Sequence, residues 1–144
     1  MIIRNKRARF EYSLEGDKYE AGISLSGGEA KAVRTGHLDL SQSVAKIMGG
    51  EAWLVNANIP VVGAKDYNST RSRKLLLHKT EVFSLSNKIR QLRLTFVPTS
   101  VYTKGHLIKV GLVLGKPKRE FEKREAFKKK VVEREVAREL KIRN

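Results

Sequence analysis

The sequence predicts a mainly β protein, built as a small antiparallel barrel with short flanking helices and a basic C-terminal tail. Several short segments alternate apolar and polar residues, and glycine-containing turns separate some of them. After Gly115 the sequence changes abruptly to charged helix formers. A chain of 144 residues is long enough for one compact domain with its own core. We therefore expect residues 1–115 to form the barrel and residues 116–144 to form a tail that is frayed or disordered when free and helical on its target.

The first half of the chain contains the clearest strand patterns. Residues 19–25 alternate apolar and polar side chains, which is typical of a half-buried strand. Residues 44–46 and 53–57 continue this pattern, and the Gly49-Gly50 pair between them predicts a hairpin turn. Residues 27–36 place good helix formers between glycines, so we expect a two-turn helix there.

The second half contains one longer helix and two more strands. Residues 60–70 are turn formers without periodicity and predict a loop. Thr80 is a candidate cap for a helix whose buried face follows steps of three, four and three: Val82, Leu85, Ile89 and Leu92. Residues 92–101 and 107–114 predict strands joined by a turn at Lys104-Gly105. Among small barrels, this order of elements favours the OB type.

The charge of the chain indicates a polyanionic partner. Thirty Lys and Arg residues against fifteen Asp and Glu residues give a net charge of +15. Nucleic acid is the commonest partner for such an excess, because neutralising phosphates releases counterions. An anionic membrane surface is the alternative, but it requires a helix with a broad apolar face, and the tail's apolar residues are few and interrupted by charges. We expect no membrane association, no signal peptide and no transmembrane segment.

The residue types needed for catalysis are sparse. The chain has no cysteine, which excludes thiolate chemistry and disulfides and fits a reducing cytoplasm. Its three histidines are scattered, it has no phosphate-binding glycine loop, and its acidic residues are dispersed. We expect a binding protein without catalytic residues, metal or cofactor. A metal-dependent nuclease remains an alternative, because active sites can assemble from distant positions.

Three basic segments would supply the interface: NKRARF at residues 5–10, RSRKLLLHK at residues 71–79, and the tail. Guanidinium groups match the geometry of phosphates and stack on bases. In the second segment we expect at least two of the three consecutive leucines to be buried. They would anchor the segment and hold its cations rigidly for an RNA backbone.

Four motifs, taken together, resemble a known family. They are NKRARFEY (residues 5–12), YEAGISLSGGEAKAVRTG (19–36), RSRKLLLHKTE (71–81) and GKPKREFEKREAFKKK (115–130). In this order, and over nearly the whole chain, they are similar to the SsrA-binding proteins, also called small protein B. The resemblance implies an OB-type barrel, without enzymatic activity, that binds the tRNA-like domain of transfer-messenger RNA. It would deliver this RNA to the vacant aminoacyl site of stalled bacterial ribosomes.

The resemblance also implies which residues act, and how. The tail would become helical in the empty mRNA channel. RNA contacts carried over from the family motifs are Asn5, Glu20 and Leu75, and nearby cations that suit phosphates are Lys6, Arg7, Lys31, Arg34, Arg71, Arg73, Lys74 and Lys79. Ribosome contacts would be Gly115, Lys116, Glu122, Lys123 and Arg124.

Some alternatives stay open, and some residues depart from the family pattern. Glu20 would accept hydrogen bonds from RNA, or would instead position a nearby arginine. Glu122 stands where the family usually has Asp, and Val132 stands where many members have an aromatic residue. A basic structural ribosomal protein is the nearest alternative function. The like charge of the chain predicts a monomer.

Overall fold

The computed structural model describes the backbone of residues 1–143 and their side chains other than those of Ala126 and residues 139–143. In chain order the elements are β1 (Ile2–Arg4), α1 (Ala8–Glu11), β2 (Tyr12–Ser13), β3 (Lys18–Ile23), α2 (Gly27–Arg34), β4 (Val44–Met48), β5 (Glu51–Val55), β6 (Arg73–Leu76), α3 (Lys79–Leu92), β7 (Thr95–Lys104), β8 (Leu107–Pro117) and α4 (Glu120–Arg143).

Six strands close into a barrel. Their order is β7-β4-β5-β6-β3-β8, and pairing of β8 with β7 completes the ring, with every pair antiparallel. Two short strands lie outside it, β1 against β7 and β2 against β8. Closure leaves the six barrel strands without a free edge. The predicted fold class, a mainly β protein with a small antiparallel barrel, is confirmed.

Alternating side chains fill the barrel interior. On β5, Ala52 and Leu54 are buried, whereas Trp53 between them is partly exposed. The core also contains Val33 of α2 and Leu85 of α3, so both helices pack against the barrel. Burial of this apolar surface is the main stabilising contribution to the fold.

The turns and caps follow from local sequence. Gly49 and Gly50 both have positive φ, as the predicted hairpin between β4 and β5 requires. Ser26 and Glu29 form a capping box at the start of α2, each side chain accepting the other's backbone N–H. The predicted cap of α3 was wrong: the helix begins at Lys79, before Thr80, and the cap residue is His78.

Strand β6 was not predicted, and neither was the inward position of Arg73 on it. Arg73 and Leu75 point into the barrel and are buried, while Lys74 and Leu76 point outward. Leu77 is partly buried against the core. The expectation that at least two of the three leucines are buried is thus met in full at Leu75 and in part at Leu77. An arginine at an inward position obscured the apolar alternation by which a strand is identified.

A buried carboxylate explains the inward arginine. The side chain of Glu29 is fully buried and accepts hydrogen bonds from Nε of Arg73 (2.9 Å), from the Tyr67 hydroxyl (2.9 Å) and from the guanidinium of Arg71. Arg73 also donates to the carbonyl of Ser69 at 2.9 Å. These contacts join α2, β6 and the loop of residues 60–70, so the loop is held at Tyr67 and Ser69.

This arrangement keeps Glu29 ionised. Burial alone would raise the pKa of its carboxyl, but hydrogen bonds from Arg71, the Ser26 N–H, Arg73 and Tyr67 outweigh it and lower the pKa to about 2. The ionised form is also what the buried guanidinium of Arg73 requires, because an unpaired charge in the interior is strongly destabilising.

The strand pairing extends past the predicted domain boundary. Lys116 and Pro117 belong to β8 and pair with Ser13 and Tyr12 of β2. The backbone N–H of Lys118 donates to the Glu11 carbonyl at 2.8 Å. Helix α4 begins two residues later, at Glu120. Because the pairing of β2 with β8 crosses the predicted boundary, the division into a barrel of residues 1–115 and a tail of residues 116–144 stays a proposal.

We predict that Glu29→Gln lowers the free energy of unfolding by about 3 kcal/mol, because it leaves the Arg73 charge buried without a counter-charge. Urea denaturation at pH 7 measures this difference. The matched control is Glu15→Gln, at an exposed acid, which should change stability by less than about 0.5 kcal/mol.

The same pair of proteins tests the pKa. Since the folded pKa of Glu29 lies below its usual value of 4.5, its contribution to stability is complete above that value and is lost as the pH falls toward 2. The stability difference between the wild type and Glu29→Gln should therefore shrink over that range. A difference independent of pH would contradict an ionised Glu29.

Candidate nucleic-acid interface

An open groove of about 1100 Å³ lies between the N-terminal arm and the outer face of β3, β7 and β8. We call it the arm groove. Its cationic side chains come from distant parts of the chain: Arg4, Lys6, Arg9, Lys18 and Lys118. Two acidic residues, Glu15 and Glu20, also line it. The groove brings together three predicted RNA-binding residues, Asn5, Lys6 and Glu20, within a surface of positive net charge.

Asn5 is fixed by the backbone of β7. Its N–H donates to the Thr99 carbonyl and its Nδ2 donates to the Pro98 carbonyl, both at 2.8 Å. Its Oδ1 is buried and accepts no hydrogen bond from the residues that the structure describes. Buried polar atoms are nearly always paired, so this unpaired oxygen is an exception that the described residues do not satisfy.

Glu20 is held by two partners on β7. The Tyr102 hydroxyl donates to one carboxylate oxygen, and Nζ of Lys104 lies 3.4 Å from the other. The hydrogen bond from Tyr102 lowers the pKa of Glu20 most, with Lys104 and Lys109 adding to the effect. Burial is the larger cause that raises the pKa of Tyr102, and the hydrogen bond to the negatively charged Glu20 adds to it, so that the pKa reaches about 12. At neutral pH a protonated tyrosine thus orients an ionised carboxylate, in place of the arginine considered from the sequence.

A glycine, Gly111, lies directly beside Glu20 on the neighbouring strand. Gly111 of β8 pairs with Glu20 on one side and with Ser100 on the other. A Cβ atom at Gly111 would approach the Ser100 hydroxyl to 2.9 Å, which is too close without movement. The absence of a side chain at Gly111 therefore lets Ser100 and Tyr102 of β7 pack closely beside it.

The outer face continues past the arm groove to a second, smaller cavity of about 340 Å³. Here Leu76, Gly22, Lys109 and Tyr102 lie side by side on β6, β3, β8 and β7. The predicted RNA contact Arg34 lines this cavity and donates to the His106 carbonyl at 3.0 Å. Cations thus follow one another along this side of the barrel.

Two predicted contacts are not accessible. The side chain of Arg73 is fully buried, and its guanidinium is occupied by Glu29, Ala57, Tyr67 and Ser69. Leu75 is 2% exposed and belongs to the core. We leave the side chains of both residues out of the interface, because inward positions on β6 cannot reach a phosphate or a base.

The other predicted cations are distributed more widely. Arg71 is 41% exposed and pairs with Glu29, and Arg7 pairs with Glu11 at 3.1 Å. Lys31 on α2 and Lys79 on α3 are exposed. Lys74 lies on the outer face of β6, where its ammonium is 3.2 Å from Glu51.

The predicted ribosome-binding residues divide between β8 and α4. Gly115 is buried in β8, where a Cβ atom would come 2.8 Å from the Ser13 carbonyl oxygen, so its place in the fold is a packing position. Lys116 is exposed in the same strand. On α4, Glu122 and Arg124 are exposed, and Lys123 is partly buried.

Sequence reasoning missed four cations of this surface, Arg4, Lys18, Lys104 and Lys109, and it included Arg9 and Lys118 only as members of longer basic segments. Alternation along β3 was a usable signal for Lys18, because it places Lys18 and Glu20 on the same face. Lys118 gave no such signal, since its position depends on the pairing of β2 with β8.

The described part of the chain has no group of three or more His, Asp or Glu residues that could hold a metal ion. None of its helices combines the length and apolar character needed to span a bilayer.

Comparison with known proteins identifies the family. Residues 2–142 match the family model described as SmpB protein. The SsrA-binding protein of Dehalococcoides mccartyi (strain ATCC BAA-2100) is 41% identical, over 99% of this chain and 84% of its own length. That of Halothermothrix orenii is 42% identical, over 99% of this chain and 94% of its own length.

A solved structure gives the same assignment. Described as "tmRNA-SmpB: a journey to the center of the bacterial ribosome", it superposes with a TM-score of 0.68 at 38% identity, over 88% of this chain and 94% of the other. The chain belongs to the SmpB family of SsrA-binding proteins.

Proposed function

We propose that this chain acts in the bacterial cytoplasm as an RNA-binding adaptor of trans-translation. It binds the tRNA-like domain of transfer-messenger RNA and delivers it to the vacant aminoacyl site of stalled ribosomes. The relatives' name, SsrA-binding protein, and the tmRNA-SmpB neighbour on the ribosome support this function. The observation that carries it is the arm groove, where cations surround two oriented hydrogen-bond acceptors.

The arm groove supplies two kinds of RNA contact. Lys6, Lys18 and the neighbouring cations attract the phosphate backbone, which supplies affinity without reading the sequence. Asn5 Oδ1 and the Glu20 carboxylate only accept hydrogen bonds, so they select donors such as a base amine or a 2′-hydroxyl. This combination suits a folded RNA that presents such donors beside its backbone.

The exposed cations next to the groove extend this surface. Arg34 and Lys109 continue the same side of the barrel, and Lys31 projects from the helix that carries Arg34. Arg71 is half-buried on Glu29, but its partial exposure leaves its guanidinium edge available to a phosphate. These positions add electrostatic attraction around the specific contacts.

The tail has a separate role in this proposal. Helix α4 has nine cations against six anions, and its described apolar side chains, including Phe121 and Phe127, are exposed. We infer that this helix enters the empty mRNA channel, where its charges meet ribosomal RNA and Lys116, Glu122, Lys123 and Arg124 contact the ribosome. A helix whose apolar residues lack a partner on its own chain gains stability from such a binding site.

Sequencing the RNA that co-purifies with the protein from its native cell tests the function directly. Transfer-messenger RNA should dominate, and the protein should be substoichiometric and salt-labile on ribosomes. One copy retained on each washed ribosomal subunit would instead identify a structural ribosomal protein.

We predict that Lys6→Ala and Lys18→Ala each weaken binding of the tRNA-like domain about threefold to tenfold near physiological salt, because each removes a phosphate contact from the arm groove. The slope of log affinity against log salt should fall by about 0.7 to 0.9 for each variant. Filter binding over a salt series measures both quantities.

Lys46→Ala is the matched control for these variants, because Lys46 is an exposed lysine on β4, outside the arm groove. It should leave the affinity and the salt slope unchanged. Equal effects of all three substitutions would show that only total charge matters and would remove the groove from the proposal.

We predict that a chain ending at Arg119 keeps its affinity for the tRNA-like domain within about threefold, since only a small part of the net charge is lost. It should no longer support rescue of ribosomes stalled on a nonstop mRNA in a translation extract. Equal loss of both activities would contradict a separate role for α4.

A chain ending at Gly115 provides the informative comparison. It also lacks Lys116, Pro117, Lys118 and Arg119, and therefore the pairing of β8 with β2 and one cation of the arm groove, Lys118. Its RNA affinity should be clearly lower than that of the chain ending at Arg119.

A further inference from the structure

Residues 5–13 run from one edge of the β7–β8 hairpin to the other. They follow β1, which pairs with the edge of β7 that faces away from β8. They end in β2, which pairs with the edge of β8 that also carries β3 and faces away from β7. We call this segment the strap. It lines the arm groove along its course and ends at the base of α4, so it joins the two.

Backbone contacts tie the strap to the base of α4. The two residues of β2 pair with Lys116 and Pro117. The backbone N–H of Lys118 donates to the Glu11 carbonyl at 2.8 Å, two residues before α4 begins at Glu120. Helix α1 of the strap also contacts α4. The strap therefore sets the place from which α4 leaves the barrel.

Few contacts hold the strap itself. Its first residue, Asn5, is bound to the backbone of β7. Within the strap, which the structure describes completely, Ala8 is the one buried residue, at 3% exposure. Helix α1 is a single turn of four residues, too short to be stable as an isolated helix, and β2 has two residues. A segment that buries so little apolar surface opens at low free-energy cost.

Closing the strap brings like charges together. The groove that the closed strap forms is lined by five cations and two acids. The cations come from the strap (Lys6 and Arg9), from the base of α4 (Lys118) and from the adjoining strands (Arg4 and Lys18). Repulsion among them opposes closure in the free protein. A polyanion in the groove removes this repulsion, because its phosphates neutralise cations on both sides of the closure.

We propose that the strap is closed by RNA: a nucleic acid bound in the arm groove holds residues 5–13 against residues 116–118 and thereby fixes the start of α4. The identity of that RNA rests on the proposed function, whereas the strap rests on the geometry. Occupation of the groove and attachment of the tail base are then coupled, and the coupling is reciprocal. A protein without RNA leaves α4 loosely placed, and a protein loaded with RNA presents it in one direction.

A disulfide that locks the strap tests this coupling, because the natural chain has no cysteine to interfere. Ser13→Cys with Lys116→Cys places two cysteines directly opposite each other on β2 and β8. Opposed residues of an antiparallel pair lie within the Cα separation that a disulfide spans. The oxidised form should bind the tRNA-like domain about twofold to fivefold more tightly than the reduced form of the same chain, since the open fraction is removed.

Filter binding measures both forms, so the lost lysine charge cancels in the comparison. The matched control is Met48→Cys with Glu51→Cys, an opposed pair on the β4–β5 hairpin outside the arm groove. Its oxidation should leave the affinity unchanged. Equal affinity of the locked and reduced strap, weaker binding by the locked strap, or the same gain in the control would overturn the proposal.

Hydrogen exchange in the unmodified full chain gives the reciprocal measurement. The amide of Lys118 is protected by the Glu11 carbonyl when the strap is closed. Adding the tRNA-like domain should slow its exchange, measured by NMR, by about the same factor as the gain in affinity from the lock. Raising the salt concentration without RNA should also slow it, because salt screens the repulsion. The amide of Leu54, inside the barrel, should show neither change.

The outcomes separate this inference from the proposed function. Failure of both oxidation states to bind the tRNA-like domain would contradict the proposed function, and slower exchange of the Lys118 amide at high salt would still support a strap that closes when its charges are neutralised. Normal binding of that domain with unchanged exchange at Lys118 would overturn the strap alone.

Discussion

The ion pair between buried Glu29 and buried Arg73 determines which face of β6 points outward. With Arg73 bound to Glu29 inside the barrel, strand alternation directs Lys74 outward and Leu75 inward. A shift of one residue would bury Lys74 and expose Leu75, and would leave the Glu29 carboxylate without its partner. One buried charge pair therefore fixes the register of the strand that presents Lys74 at the surface.

The acidic residues explain how so basic a surface can be selective. A groove lined only by lysine and arginine would attract any polyanion, because phosphate contacts do not report sequence or fold. The Glu20 carboxylate repels a phosphate placed against it, and it can only accept hydrogen bonds from N–H or O–H groups of the RNA. The Tyr102 hydroxyl holds this carboxylate in one orientation. Selectivity would then come from where the RNA presents its amines and hydroxyls among its phosphates, and affinity would come from the surrounding cations.

Local patterns predicted the barrel but not the assembly of the groove. Alternation identified the segments of β3, β4, β5, β7 and β8, because one face of each is buried. It missed β6, where Arg73 occupies an inward position, and a motif cannot distinguish a buried arginine from an exposed one. The family motifs did identify Asn5, Lys6 and Glu20, and the fold brings these three residues into one groove. Alternation along β3 could have placed Lys18 beside Glu20, whereas Lys118 joins them only through the long-range pairing of β2 with β8, which no local pattern encodes.

Closure of the barrel is what leaves its outer surface available for binding. In an open sheet, one face would be needed to cover the core, and only the other could bind a ligand. In the closed ring the interior holds the core, so outward side chains can bind without exposing it. The arm groove lies on the outer side of β3, β7 and β8, where the N-terminal arm and Lys118 meet these strands. A ligand bound there leaves the packing of the core unchanged, so binding and folding depend on different faces of the same strands.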